Sequence, residues 1–349
     1  MTSLTESLAH SPVLFPLVLD VAADRVSLIR LTEQDYTQAS FLDERILKPG
    51  VATTQVAVHD LQAAVLETGL ESSAQFIFHI GHVGSTLLSR LLGAHPDIFA
   101  LREPAIFRTL AQIRLDGANA PAHWRNDQFD SRLLTLLKLW SRTFRSSQRA
   151  NIKATSFASE LAESLLALEY QPKAIFMYMP AEQYLAAILG AENSPREAQA
   201  LAPMRLARLN KRLGAQFVPQ GMSMGEIVAM SWASEMATLV RAATSNRERV
   251  LWLDFDRLLA QPDALLAKCF AHFGIAAGPE QVARILAGPD MGRYSKAQEH
   301  QYDAALRTAV LNQGRQMFGT EIRRGQLWLE KAASRHSLLA QAMALSSAS

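Results

Sequence analysis

Apolar positions along the chain cluster in two distinct ways. Near the N-terminus, "PVLFPLVLD" (12–20) and "RVSLIRL" (25–31) are strand-like runs followed by a polar stretch. "HDLQAAVLETGL" (59–70) then carries apolar residues at helical spacing and stops at a glycine, which suits a helix C-terminus. After "ESSA" the pattern changes. The short, continuously apolar runs "QFIFHIG", "DIFALR", "ANIKA", "PKAIFMYM" and "ERVLWLDF" are separated by long helical segments. Such runs predict strands buried on both faces, and their alternation with helices predicts an α/β fold with a parallel sheet and right-handed crossovers. From about residue 256 onward the pattern is helical, and "ALSSAS" at the end predicts a frayed tail.

The first of the five runs leads into "FIFHIGHVGSTLLSRLL" (76–92), an apolar strand, a turn with two glycines and a helix. A turn in that position sets consecutive main-chain N–H groups at the positive end of the helix dipole, where they can hold an anion. Gly84 lets the backbone approach an oxygen closely, and Ser85 and Thr86 add hydroxyls that bind or cap. The competing reading is an ordinary strand–turn–helix junction with a serine cap. The helix offers Leu87, Leu88, Leu91 and Leu92 to the sheet and closes at Gly93. A nucleotide-hydrolysing loop reads G-x-x-x-x-G-K-[ST], with the lysine on the terminal phosphates. Here Ser85 directly follows Gly84, and that lysine is missing.

Composition narrows the partners. The 349 residues are 49% hydrophobic and 19% charged, enough for a large core. Thirty-five Lys and Arg against 33 Asp and Glu give a net charge of +2, so nothing calls for nucleic acid or an anionic membrane surface, and any anion site must be built locally. The single cysteine, Cys269, sits at helical spacing in "LLAKCFAHF"; a buried, inert thiol and a reducing, cytoplasmic compartment are expected. "VLFPLVLDVAADR" is short, is broken by Pro16 and Asp20, and has no basic residue before it, so it predicts a strand and not a signal peptide. No window reaches the roughly 18 to 20 apolar residues of a membrane span.

The loop "GHVGSTLL" resembles the P-[KR]-S-G-[TS]-T-L-L loop of the sulfotransferase superfamily, with His82 where Arg or Lys is usual. Four further segments are similar to that family in order and spacing: "HPDIFALREP", "IKATSFASELAESLLALEYQPKAIFMYMP", "VLWLDFDRLLAQPDALLAKCFAHFGI" and "RYSKAQEHQYDAALR". The resemblance spans about residues 75 to 310. It implies a P-loop-like α/β domain over 71–320, an N-terminal appendage over 1–70, and a C-terminal helix and tail over 321–349. It also implies 3′-phosphoadenosine 5′-phosphosulfate (PAPS) as sulfuryl donor, held by Gly81, His82, Val83, Gly84, Ser85, Thr86 and Leu87, with no metal and an acceptor hydroxyl or amine that the sequence does not identify.

Two departures stand out. The family's R-x-P-x-x-x-x-x-S motif for the 3′-phosphate corresponds to "YMPAEQYLA", with Tyr178 for the arginine and Ala186 for the serine. A tyrosine hydroxyl supplies one uncharged bond where an arginine fork supplies two charged ones. Arg196, Arg205, Arg208, Lys211 and Arg212 are the nearby substitutes, but Arg205, Arg208 and Arg212 recur at helical spacing and predict a solvated face. The C-terminal R-K-G-x-x-G motif is not matched; "RRGQLW" (323–328) predicts helix surface.

In-line sulfuryl transfer needs a base on the acceptor side and fixed positive charge on the leaving oxygen. Glu103, at the end of "IFALREP", is the expected base, because the C-terminal ends of parallel strands converge on the ligand crevice. Lys153, ending "ANIK", is the permanent cation; His82 is a conditional one, with an unperturbed pKa near 6.5. Against these stand a helix N-terminal carboxylate at Glu103 and a snorkelling lysine at 153. His79, inside a strand, predicts a core histidine. A non-catalytic nucleotide- or partner-binding relative is the alternative function, and an ATP-dependent kinase the third. Two motifs are set aside: "GMSMG" (221–225) matches G-x-S-x-G, with Asp254 and His272 following, but Ser223 and Glu226 form a helix capping box. "HIGH" lacks the carboxylate or cysteine cluster of a metal site.

Overall fold

The computed structural model describes residues 4–9, 11–47, 51–292 and 304–347. All five apolar runs form strands: β4 (Gln75–His79), β5 (Ile98–Arg102), β6 (Arg149–Lys153), β7 (Ala174–Tyr178) and β8 (Val250–Asp254), after β1 (Leu14–Asp20), β2 (Arg25–Arg30) and β3 (Thr53–Ala57). The five make one parallel sheet in the order β5-β6-β4-β7-β8, flanked by helices, and the N-terminal three make a separate antiparallel sheet in the order β1-β2-β3. β3 is a correction: most of its residues are exposed and polar, so it carries no apolar period, and it forms by pairing with β2 from Arg25↔Ala57 to Ile29↔Thr53. Pro16 is tolerated because β1 is an edge strand, with a register shift between Pro16 and Val18.

The chain divides into two compact units. The first comprises Met1–Ile77, Thr86–Ala174 and Phe270–Ala277; the second comprises Phe78–Ser85, Ile175–Cys269 and Gly278–Ser349. In the first, an aromatic cluster of Phe15, Tyr36, Phe99 and Phe144 packs edge to face with centroids 4.9 to 6.0 Å apart. Arg142, buried, closes the N-terminal segment by donating to the carbonyls of Leu8 (3.2 Å), Ser11 (2.8 Å) and Leu14 (2.5 Å).

In the second unit the helix Met224–Thr244 is buried along nearly its whole length. Trp232 anchors it by donating to the carbonyl of Met179 at 3.0 Å. The expected solvated face of Arg205, Arg208 and Arg212 is overturned, because these residues of the helix Ser194–Leu213 pack against Met224–Thr244. Arg208 grips the buried Glu235 through both terminal guanidinium nitrogens (3.0 and 3.2 Å), Arg205 lies 3.5 Å from the same carboxylate, and Arg212 donates to Thr238 at 2.7 Å. Periodicity sees that arginines share a face; only the partner helix decides that the face is buried.

Ser223 caps the helix it precedes. Its hydroxyl accepts from the Glu226 N–H (3.3 Å), while the Glu226 carboxylate accepts from the Ser223 N–H (2.7 Å). Asp254 likewise caps the helix Phe255–Ala260 at 2.9 Å, and His272 bonds the carbonyl of Ala174 at 3.0 Å, so the three residues that mimic a hydrolase triad each have a structural task. Ser223→Ala is therefore expected to cost about 1 kcal/mol of stability in urea unfolding. It should leave ligand binding and turnover unchanged; a loss of turnover without a loss of stability would restore the nucleophile reading.

Gly225 permits a helix crossing: a Cβ there would lie 1.9 Å from the carbonyl oxygen of Glu321 on the helix Ala304–Ala333. In "RRGQLW" the two arginines are exposed as expected, while Gly325 is buried against Gly225. Residues 344–347 of the expected frayed tail belong to the helix Ser337–Ser347, whose Leu339 and Ala342 are fully buried, and residues 348–349 lie outside the described residues. Most of "RYSKAQEHQYDAALR" (residues 293–303) lies outside the described residues. Cys269 is buried and burial pushes its thiol up to about 12, which makes it unreactive at neutral pH. Among the described residues, no helix is long and apolar enough to cross a membrane, and no group of three His, Cys, Asp or Glu side chains could hold a metal ion.

Candidate functional site

Strand β4 ends at His79, and the loop that follows belongs to the second unit as far as Ser85. Its backbone is unusual at three positions: Gly81 (φ 88°), His82 (φ 56°) and Gly84 (φ 63°) all occupy the left-handed region. Histidine is among the few non-glycine residues enriched there. The Gly81 N–H donates to Nδ1 of the buried His79 at 3.0 Å, so His79 shapes the turn, and the core-histidine reading fits it. His82 is exposed and Val83 is fully buried, which pins the loop between them.

Gly84 is the tightest point. A Cβ on it would stand 2.0 Å from Cε2 of Phe255, the first residue of the helix after β8. The backbone there can exist only without a side chain. Phe255 is buried in its turn, and the Arg307 guanidinium lies 5.3 Å over its ring. Arg307 donates to Asp256 at 3.1 Å and reaches the Met179 sulfur at 3.4 Å. Sequence reasoning missed both Phe255 and Arg307. The first read as the closing residue of a strand, and the second carries no local signal.

The helix Ser85–Gly93 begins immediately after Gly84, with Ser85 and Thr86 buried and Leu87, Leu88, Leu91 and Leu92 all in the core as expected. The N–H groups of its first turn have no intrahelical acceptor and carry the positive end of the dipole. Within the first unit, Thr86 meets Lys153, another candidate residue. Lys153, with no exposed side-chain surface, lies 3.2 Å from the Thr86 hydroxyl and forms an ion pair with Glu103, whose side chain is 14% exposed. Lys153 is the last residue of β6, aligned in register with Arg102 on β5, and Glu103 follows directly.

Glu103 extends the ladder by donating its N–H to the carbonyl of Lys153 at 2.7 Å, yet its own φ is 51°. A left-handed glutamate costs of order 1–3 kcal/mol and persists where surrounding contacts fix it. Lys153 and Glu103 therefore sit where parallel strands end, beside the head of a helix that follows a glycine turn. A fully buried ammonium held at that place supplies fixed positive charge, and the partly open carboxylate beside it can accept a proton.

Tyr178 ends β7 in the second unit, buried, with its ring edge-on to Trp252 at 5.6 Å. Ala186 is fully buried in the helix Ala181–Leu189. Sequence reasoning also missed the Phe41 ring, 5.8 Å from the Lys153 ammonium, since "SFLDER" reads as a polar segment with one stray aromatic.

No family model and no curated protein matches the sequence. Among solved structures the chain is similar to the sulfotransferase domain from the curacin biosynthetic pathway, with 14% identity, 75% of this chain and 98% of that chain covered, and a TM-score of 0.40. It is similar to a sulfotransferase from Mycobacterium tuberculosis at 15% identity, with 74% and 81% covered and a TM-score of 0.36. It is also similar to a mouse sulfotransferase complexed with PAP at 12% identity, with 82% and 99% covered and a TM-score of 0.32.

Proposed function

We propose that this chain is a sulfotransferase that moves a sulfuryl group from PAPS to a hydroxyl or amine. The observation that carries the reading is the buried Lys153, paired with Glu103 and beside Thr86 at the head of the helix that the glycine turn opens. In the proposed reaction the acceptor oxygen or nitrogen attacks sulfur in line, forming the new bond to sulfur as the bond between sulfur and the 5′-phosphate oxygen breaks. Glu103 takes the acceptor proton. The leaving oxygen's growing charge is met by Lys153 and by the main-chain amides of Thr86 and Leu87 at the head of the helix. His82 adds charge to this arrangement only when protonated. The leaving product is 3′-phosphoadenosine 5′-phosphate (PAP), and no metal is required.

A second reading is favoured by one observation: the family's 3′-phosphate arginine and serine are replaced by Tyr178 and Ala186, both buried. On that reading the chain binds a nucleotide or a partner without catalysis. Titration of the full chain with PAP, joined to an assay for PAPS turnover, separates the two, since stabilisation without turnover also favours the second. The enzyme reading expects a raised melting temperature, corresponding to about 2.7 kcal/mol at a hundredfold excess over the dissociation constant. No stabilisation at millimolar PAP favours the second, and magnesium-dependent ATP turnover would replace both with a kinase.

A further inference from the structure

The segment between β2 and β3 reaches the site, and two bonds bracket Glu103. The Leu42 N–H donates to the carbonyl of Arg102 at 2.7 Å, and the Ala105 N–H donates to the carbonyl of Leu42 at 3.1 Å. The Arg102 guanidinium fastens the same segment from the other side by donating to the carbonyls of Ala39 (2.6 Å), Thr37 (2.9 Å) and Tyr36. Residues 36 to 42 are therefore fixed against the end of β5, and what they carry is positioned by design of the backbone.

Their Phe41 ring meets a second cation, Arg45, three residues beyond the fixed segment. The Phe41 ring, 5.8 Å from the Lys153 ammonium, has the Arg45 guanidinium stacked over it at 3.6 Å, so both positive groups stand against one aromatic ring. Arg45 differs from Lys153 in being open: its side chain is 61% exposed. Asp43 takes its Nε at 2.8 and 3.0 Å and its Nη2, which leaves the Nη1 donors outside that pair. The Asp43 hydrogen bonds, and beyond them the charge of Glu103, hold the guanidinium pKa above its ordinary value. Asp43, 20% exposed, keeps its bonds to Nε and Nη2, and a ligand oxyanion can approach the open Nη1 side without displacing it. The planar fork suits a phosphate, sulfate or carboxylate group.

We propose that Arg45 is a ligand-binding residue that takes an oxyanion carried by the substrate beside the Glu103–Lys153 pair. The inference rests on the sulfotransferase reading. Two sources share that chemistry: the sulfuryl group of the donor, and an anionic group on the acceptor.

The test uses the full-length chain and three probes: PAPS, PAP, and inorganic sulfate added to PAP-saturated protein, each titrated calorimetrically. It compares the wild type with Arg45→Ala, Arg45→Lys and, as a distant control on β2, Arg25→Ala. Arg45→Ala is expected to fold with an unchanged melting temperature and to weaken an oxyanion contact about tenfold or more, with Arg45→Lys intermediate. Weakened PAPS binding with PAP unaffected assigns the sulfuryl group. Loss of sulfate binding alone assigns an anion on the acceptor. Equal affinities in wild type and Arg45→Ala for all three probes, or the same loss in Arg25→Ala, overturn the proposal. If the wild type binds neither PAP nor PAPS, the sulfotransferase reading fails, and sulfate binding to the unliganded chain decides Arg45 separately, standing if Arg45→Ala abolishes it and falling otherwise.

Discussion

Gly84→Ala is expected to destabilise the protein by about 2 to 5 kcal/mol and to abolish PAP binding, although it adds only a methyl group. The estimate joins two costs: a non-glycine residue in the left-handed region, about 1–2 kcal/mol, and overpacking, about 1–3 kcal/mol. The collision is with a ring that cannot yield, because the methyl would stand 2.0 Å from Cε2, 2.5 Å from Cδ2 and 2.6 Å from Cζ of Phe255. That ring is 4% exposed and is held by the Arg307–Asp256 pair. Relief would have to come from the loop, and moving the loop moves the amides that would hold the phosphate.

Urea unfolding measures the first effect, and thermal stabilisation by PAP the second. A double-mutant cycle with Phe255→Ala isolates the steric part. In that background Gly84→Ala should cost only the backbone share, roughly 1–2 kcal/mol. An undiminished cost would remove Phe255 from the account, and retained PAP affinity in the single variant would remove the loop from the site.

The sheet was legible because burial on both faces leaves a trace that needs no partner to read. "QFIFHIG", "DIFALR", "ANIKA", "PKAIFMYM" and "ERVLWLDF" each became a strand. The antiparallel β3 left no such trace, since "TTQVA" is held by pairing with β2 and not by an apolar face. The same distinction runs through the site. Lys153 and Glu103 were legible one at a time as strand-end residues, but their ion pair follows from the β5–β6 register, which no local window contains. Phe41, Arg45 and Arg307 reach their places from segments distant in sequence. The arginines of the helix Ser194–Leu213 show the opposite error, in which a correct period was assigned the wrong environment.

Lys153→Met and Glu103→Gln are expected to separate stability from chemistry at the ion pair. Removing one partner of a buried pair strands the other, at about 3–5 kcal/mol, whereas replacing both together is often nearly neutral. Lys153 has no exposed side-chain surface, and its ammonium has the Glu103 carboxylate and the Thr86 hydroxyl around it, so Lys153→Met leaves Glu103 without its cation in a largely closed place. That variant should lose about 3–5 kcal/mol in urea unfolding and lose turnover as well. Glu103→Gln removes the counter-charge of the fully buried ammonium but keeps a partner for it, because a glutamine oxygen can still accept its hydrogen bond. Glu103→Gln should therefore cost less, about 1–3 kcal/mol. It should retain PAP binding and lose turnover by roughly 10²- to 10⁴-fold, the ordinary contribution of a general base. The double variant should be more stable than Lys153→Met alone, since the stranded carboxylate is gone, yet remain inactive. If Glu103→Gln turns over PAPS at the wild-type rate, Glu103 is a structural counter-ion only, and the proton must leave by another route. If Lys153→Met unfolds like the wild type, the ammonium is not the buried charge that the geometry describes, and the site loses its fixed cation.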